Sequence, residues 1–401
     1  MTDPKELLSE QQPLQLSEVQ KALQEADLDG WLFYDFHGQN PIAKTMLDLQ
    51  KTTRRSFALI PARGEPVALI HAIEHGAWDH WPWKVVDYRG WREMEEKLTV
   101  LLQGEPRLAM EVSSHSNVPT LDRVPSGILQ LLVKIGTKVV SSGDFVSTFH
   151  SVWTEQQLQG HRRCAEIARE VAMGAFKRAS EQVRHGKPLL EGELGEWIRD
   201  RLYDRGLQEQ PDCHVAIGKN AADPHYDPGG SGDYISKGEI LLIDLWGKEN
   251  TEGIFADQTW MGILDRQPSS RVQTIWAAVR DAREEAIKFL NDSYASGEII
   301  FGYQVDDVCR NAISKSGFGD FFVHRTGHSM DVDLHGSGPN LDNLETRDDR
   351  TLISGVGFSV EPGIYIPGEV GIRSEINVYW GPEGPEVTPQ KRQYEILTLL
   401  E

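Results

Sequence analysis

The stretch "EILLIDLWGKENTEGIFADQTW", residues 239–260, contains two apolar runs, each broken by an aspartate. "EILLI" and "IFA" have the aliphatic and aromatic density of short buried strands, and the polar "KENTEG" between them, with its glycine, reads as the connection of a hairpin. A buried strand rejects a carboxylate unless something balances the charge, so Asp244 and Asp257 are the first residues that need a reason.

A second strand pair repeats the anomaly. "GVGFSVEPGIYI" carries Glu361 before a Pro-Gly turn, and "GIRSEINVYW" carries Glu375. Taken singly, each acid has an ordinary reading as a turn residue, a cap or, for Glu375, a partner of Arg373. Four carboxylates at apolar strand positions share one explanation more readily, a pair of divalent cations with hard oxygen ligands.

Between the two strand pairs lies "FVHRTGHSMDVDLHG", residues 322–336, with three histidines. On a helix, His324 and His328 would sit one turn apart, as in a zinc-protease HExxH motif, but the position of the catalytic glutamate is Arg325. An arginine cannot serve as general base, and Gly327 together with the glycines near 336–338 disfavours a long helix. One neutral imidazole among the four carboxylates fits a cation site, leaving the other histidines to move protons or hold an oxyanion.

The 401 residues suggest two domains or one large one. A formal charge of −20 argues against nucleic acid and anionic membrane surfaces as partners. Cys164, Cys213 and Cys309 are widely spaced without a CxxC pair, which suggests neither a disulfide framework nor a thiolate zinc site and favours a reducing compartment. The opening "MTDPKELLSEQQPLQ" has no apolar signal core, and no run of eighteen apolar residues occurs, so a cytoplasmic enzyme is expected.

Residues 1–152 alternate short strands ("WLFYDF", "SFALIPARGEPVALI", "KVVDY", "RLAMEV", "TKVVSS") with helices near 91–103 and 124–135, a small α/β domain. Residues 153–401 open with a long amphipathic helix from "TEQQLQG", with Thr154 and Glu155 as capping residues, and a second helix that stops at Gly206. Helices near 269–291 and 303–316 separate the two acid-bearing strand pairs, giving two successive halves. The aromatic-rich segment 71–91 reads as a packing surface, with an interface or pocket wall as the alternative. "YDFHGQNP", residues 34–41, reads as turn-formers after a strand that face the cleft of the same chain or of a partner.

The order Asp, Asp, His, Glu, Glu resembles that of the pita-bread metallopeptidases, peptidase family M24, which include methionine aminopeptidase, aminopeptidase P and prolidase. "LLIDLWG", "FADQTW", "RTGHSMD", "SVEPGIYI" and "GIRSEINV" carry the likeness over residues 154–401, and "VEPGIYI" with "GIRSE" resembles the Xaa-Pro branch. The smaller first domain is similar to the creatinase-type N-terminal domain of that branch. The resemblance implies an α/β (α+β) fold whose pita-bread domain has pseudo-symmetric αβ halves.

It also implies two divalent ions, Mn²⁺ best suited to this donor set with Zn²⁺ or Co²⁺ as alternatives, held by Asp244, Asp257, His328, Glu361 and Glu375. His324 and His335 would contact the substrate carbonyl or tetrahedral intermediate, with His225 positioning the substrate and His214 a weaker competitor. Arg373 would hold Glu375 in its charged form. The implied reaction is attack by a metal-bridging hydroxide on the bond between an N-terminal residue and proline, Glu361 being acid and base. Substrates would be proline-containing peptides, and a homodimer is expected from the two-domain build.

Departures bear on the substrate. Asp244 and Asp257 are thirteen residues apart, more than the family pattern, but a hairpin absorbs an even insertion without turning Asp257 to the other face. "HSMD" places Met330 and Asp331 where small apolar residues are usual. "HGSGPNLDN" lacks the arginine that dipeptide-cleaving members carry after the third histidine, which tilts the reading to an aminopeptidase. A prolidase-like dipeptidase is the alternative. A metal-free relative with non-peptide C–N hydrolase or binding function is the third, against which stand five filled ligand positions.

Overall fold

The computed structural model of the protein describes residues 15–104 and 106–400, so the opening stretch lies, but for Gln15, outside the described residues. Two compact units divide the chain, Met1–His150 and Ser151–Glu401.

In the first unit the described strands are β1 (Gly30–Asp35), β2 (Ser56–Pro61), β3 (Val67–His71), β4 (Lys84–Tyr88), β5 (Arg107–Met110) and β6 (Lys138–Ser141). They form one sheet in the order β4-β3-β2-β1-β5-β6. Helices α1 (Leu16–Glu25), α2 (Pro41–Met46), α3 (Trp91–Leu101), α4 (Ser126–Ile135) and α5 (Gly143–Phe149) accompany it. Trp31 and Phe33 fill one face of β1 and Leu32 and Tyr34 the other, each in its own apolar cluster. The two-sided burial accounts for the unbroken hydrophobicity of "GWLFYD". Trp78 and Trp81, from the aromatic segment, belong to this unit's core, with ring centroids 5.4 Å apart. The polar residues of "YDFHGQNP" are engaged locally: Asp35 accepts the backbone N–H groups of Gly38 and Asn40, and the Asn40 side chain caps α2 through the Ala43 N–H.

The second unit begins with α6 (Glu155–Arg184) and α7 (Glu191–Asp204). Thr154 caps α6 by a capping box whose reciprocal partner is Gln157, three residues on; Glu155 only occupies the first turn, which corrects its assignment as a cap. Strands β7 (Glu209–Ile217), β8 (Ile240–Lys248) and β9 (Ala256–Ile263) follow, then α8 (Ser270–Ser296) and α9 (Gly302–Lys315). The remaining strands are β10 (Ser329–Met330), β11 (Val356–Val360), β12 (Gly363–Ile366), β13 (Val370–Arg373), β14 (Ile376–Gly381), β15 (Gly384–Thr388) and β16 (Leu397–Thr398). Thus a pair of helices followed by antiparallel strands occurs twice.

Alternation along β8 decides what each face does. Leu241, Ile243 and Leu245 pack with Phe176, Leu194 and Ile198 of the first helix pair. Ile240 and Leu242 look the other way, into a core shared with Val360, Ile372 and Ile376 of the second half. Asp244 is the next residue on that second face, and the strand period of two therefore carries it to where the halves meet.

Candidate metal centre

The antiparallel register sets Asp244 opposite Thr259 and Trp246 opposite Asp257. Both aspartates thus point to one face, two positions apart along the ladder, and both are buried. The extended connection has left their orientation intact.

The two glutamates meet differently. Val360 pairs with Ile376 and Gly363 with Arg373, so the same register leaves Glu361 opposite Glu375, at the point where the ladder is interrupted. There the Glu361 N–H donates to the Thr326 carbonyl and the Glu375 N–H to that of Thr259, which ties both acids to the segments bearing His328 and Asp257. Pro362 helps enforce the break, since it has no N–H for a ladder.

His328 lies in irregular backbone ending in the two-residue β10, not on a helix. Its N–H donates to Ser359 Oγ at 2.9 Å, and that hydroxyl donates to Glu361 Oε1 at 3.0 Å. The imidazole Nδ1 faces the Ser329 carbonyl at 3.1 Å, so Nδ1 carries the proton and Nε2 turns inward. Nε2 is 3.5 Å from both Asp257 Oδ2 and Glu361 Oε1. Asp257, His328 and Glu375 each offer a ligand atom within 4.8 Å of the others.

Arg373 does not pair with Glu375. Its Nη2 donates to Asp244 Oδ2 at 2.5 Å, Nε to Thr259 Oγ1 at 2.8 Å and Nη1 to the Tyr365 hydroxyl at 3.2 Å. Glu375 is held instead by the Thr259 hydroxyl at 2.8 Å. Alternation explains the difference: Thr259 stands between Asp244 and Glu375 on the shared face, and the arginine reaches past it.

The other histidines separate into distinct environments. His324 Nδ1 donates to the Arg325 carbonyl at 2.7 Å, and Nε2 accepts from the Tyr365 hydroxyl at 2.8 Å, so both its nitrogens are engaged within the protein. His335 sets its ring edge-on to His328, with centroids 4.5 Å apart, and has no hydrogen bond among the described residues. His225 is on an exposed loop, close enough to His335 for its charge to be felt there. His214 sits on β7 opposite Asp244, its ring 5.1 Å from that of Trp246 and its Nδ1 buried without a hydrogen bond.

The electrostatics record an excess of buried negative charge. Burial, then repulsion from Asp257, Glu361 and Asp244, pushes the Glu375 carboxyl well above the usual range. Asp257 is driven up to about 6, chiefly by burial. Burial also disfavours charge on Glu361, but His328, His324 and Arg373 outweigh it and hold its pKa low. His328 is raised: burial works against its charge, while Asp257 and Glu361 more than compensate. Asp244 Oδ1 and Asp257 Oδ1 are buried with no hydrogen-bond partner. Buried carboxylate oxygens without a partner, on the strand face whose Asp257 and Glu375 approach the His328 imidazole, are what a divalent cation would satisfy, and the donor set fits hard ions.

Tyr365, Thr259, Ser359 and Asn377 escape sequence reasoning. Asn377 clamps Asp257, its Oδ1 accepting the Asp257 N–H and its Nδ2 donating to the Asp257 carbonyl. Thr259 alone had a signal, lying two residues beyond Asp257 and so on the same strand face.

Such a cluster between two αβ halves has the donor chemistry of a divalent-metal site. Residues 160–381 match the family model described as metallopeptidase family M24, and the chain belongs to that family. A putative Xaa-Pro aminopeptidase of Mycoplasma genitalium is 31% identical over 222 residues, 55% of this chain and 57% of that protein. An Xaa-Pro dipeptidase of Lactobacillus delbrueckii subsp. lactis is 31% identical over 234 residues, 58% of each chain. The chain therefore spans less than two thirds of these relatives' length. Among solved structures, dipeptidase PepE from Mycobacterium ulcerans superimposes with a TM-score of 0.72 at 21% identity, covering 96% of this chain and 97% of that one. An X-Pro aminopeptidase from Thermotoga maritima gives 0.64 at 22% identity, covering 96% and 99%. These likenesses establish the pita-bread fold.

Proposed function

We propose that the protein is a metallo-exopeptidase of the Xaa-Pro kind, removing the N-terminal residue before proline. The convergence of Asp244, Asp257, His328, Glu361 and Glu375 on one buried face carries this reading. Those five residues would hold two divalent ions, Mn²⁺ before Zn²⁺ or Co²⁺. The ions would supply activation of the attacking water and polarisation of the scissile carbonyl.

The chain's own residues do the rest. Glu361, kept ionised with the help of His328 and Arg373, is assigned to take the proton of the attacking water and return it to the proline nitrogen. His335, with both ring nitrogens unengaged, is the histidine free to donate to the developing oxyanion. His324 contacts substrate only by exchanging its bond to Tyr365, which makes that hydroxyl a candidate donor too. His225, on the loop beside His335, is assigned to the bound peptide.

Residues 1–152 are assigned as a creatinase-like domain, and a cytoplasmic homodimer is the form proposed. The three cysteines are free and buried. No helix among the described residues is long and apolar enough to cross a membrane.

A dipeptidase reading has its own support. The side chain of Arg325 makes no ion pair or hydrogen bond among the described residues, yet its charge reaches Glu361, His328 and His335. Arg350, by contrast, is fully committed to Asp348 and the carbonyls of Ser337 and Gly338. Hydrolysis of Ala-Pro and Ala-Pro-Ala by metal-stripped protein, before and after Mn²⁺, with Glu361→Ala as control, tests both. Mn²⁺-dependent cleavage of the tripeptide alone supports the aminopeptidase and of the dipeptide alone the dipeptidase. Cleavage of neither by protein that has bound metal overturns the Xaa-Pro reading.

A further inference from the structure

Two departures from the family pattern, the lengthened β8–β9 connection and the "HSMD" segment with the loop that follows it, lie side by side, and one side chain bonds both the connection and that loop. Lys248 ends β8 on the same face as Asp244, by strand alternation, and is buried. Its ammonium donates to the Thr251 carbonyl at 2.9 Å, inside the connection, and to the Val332 carbonyl at 2.5 Å, inside the loop that carries His335. It also lies 4.8 Å over the Phe255 ring.

The two segments share a small apolar cluster: Ile254 and Phe255 from the connection, Met330 and Leu334 from the loop, against Trp153. The loop is closed on itself by Asp331, whose Oδ1 accepts the Asp333 N–H and whose Oδ2 accepts the Ser337 N–H, both at 2.8 Å. Gly336 is required in that knot, since a Cβ there would lie 2.7 Å from the Asp331 carboxyl carbon. A loop tied within itself still needs an external anchor to be fixed against the metal-side strands. Arg350 holds its far end at the Ser337 and Gly338 carbonyls, and Lys248 is the charged side chain that ties it to the end of β8.

We propose that Lys248 is a positioning residue: by holding the 331–336 loop to the end of β8 it sets His335 edge-on to His328, in place to meet the reacting carbonyl. This rests on the role given to His335 above. A buried ammonium with two carbonyl acceptors is directional, whereas the apolar cluster tolerates sliding, so loss of the ammonium frees the loop without dissolving the cluster.

The test is a double-mutant cycle on whichever Xaa-Pro peptide the wild type cleaves, comparing Lys248→Met, His335→Asn and the double variant in Mn²⁺-loaded enzyme. Lys248→Met is expected to lower kcat about tenfold with KM within about twofold, and to add nothing once His335 is gone, because an oxyanion contact acts in the transition state. Amide hydrogen exchange over 331–337 should quicken in Lys248→Met, and Lys248→Arg should restore part of kcat.

A melting-temperature loss with kcat intact, or losses that multiply in the double variant, would overturn the proposal. If His335→Asn itself leaves kcat unchanged, the assignment of His335 falls first and this proposal with it. If His335→Asn is slow and Lys248→Met is not, this proposal alone falls. Should Lys248→Met not fold, Lys248→Arg carries the same cycle, and an additive result there overturns the proposal equally.

Discussion

Arg373 Nη2 donates to Asp244 Oδ2 at 2.5 Å, although Glu375 lies two residues from the arginine in sequence. Among the described residues this is the one ion pair between a permanent cation and the four acids, and both partners are buried. Arg373→Met therefore leaves a buried carboxylate uncompensated, and the metal-free protein should lose about 3–5 kcal/mol of unfolding free energy. Arg373→Lys should retain part of that but lose the contacts to Thr259 and Tyr365. Denaturant unfolding of stripped protein measures both, and a loss below about 1 kcal/mol for the methionine variant would refute the assignment.

Glu375 is the acid most disfavoured in its charged form, by burial and three neighbouring carboxylates. Glu375→Gln should stabilise the metal-free protein by about 1 kcal/mol, a few degrees in Tm, while abolishing most of the Tm gain on adding Mn²⁺. Opposite signs in the two states separate a metal ligand from a structural acid. Equal Tm gain with Mn²⁺ in variant and wild type would exclude Glu375 as a ligand.

Metal uptake should release protons. Asp257 titrates near 6 without metal, with Glu375 and His328 raised, and a cation binds the deprotonated forms of all three. Affinity for Mn²⁺ should therefore climb with pH through about 6 and fall below it. Calorimetry in buffers of different ionisation enthalpy reads the proton count directly; buffer-independent heats at pH 6 would contradict it.

His161 gives a pH signature away from the site. It is fully buried between the Phe255 carbonyl and the Thr388 hydroxyl, and burial holds its pKa down to about 4. Because the folded value lies below the unfolded one of about 6.5, its contribution is complete above 6.5 and is lost as the pH falls toward 4. The full amount is about 3 kcal/mol. His161→Gln should be less stable at pH 7 yet show a flatter decline between pH 6.5 and 4. Parallel stability curves for the two proteins would rule this out.

Gly327 shows why a residue without a side chain precedes His328. A Cβ there would fall 1.9 Å from the Ser359 carbonyl oxygen, in the strand whose Ser359 hydroxyl receives the His328 N–H. Gly327→Ala should cost about 2 kcal/mol or more and weaken Mn²⁺ binding at least tenfold, since the imidazole must move with the backbone. Metal titration followed by Tm tests it; unchanged affinity would show that the strand yields instead.

Much of this was legible in the chain because strand chemistry is local. An acid inside "EILLIDLWG" violates a rule that only burial imposes, so Asp244 announces itself without any partner in view. The helix reading of 322–336 could be discarded on Arg325 and the glycines alone. Tyr365 and Ser359 gave no such sign, since a tyrosine or serine in an apolar strand breaks no rule until its hydroxyl is found between two site residues.

The sequence by itself determined which residues are out of place in their elements, and with that the two repeated halves and the acids and histidines of the site. Only the tertiary structure decided who compensates whom: Arg373 with Asp244 rather than Glu375, Gln157 rather than Glu155 with Thr154, and Lys248 with the loop of His335. Burial and periodicity are properties of a segment and are written along the chain. Ion pairs and hydrogen bonds between segments depend on register and on which side chain stands between two others, as Thr259 does, and those exist only once the strands are paired.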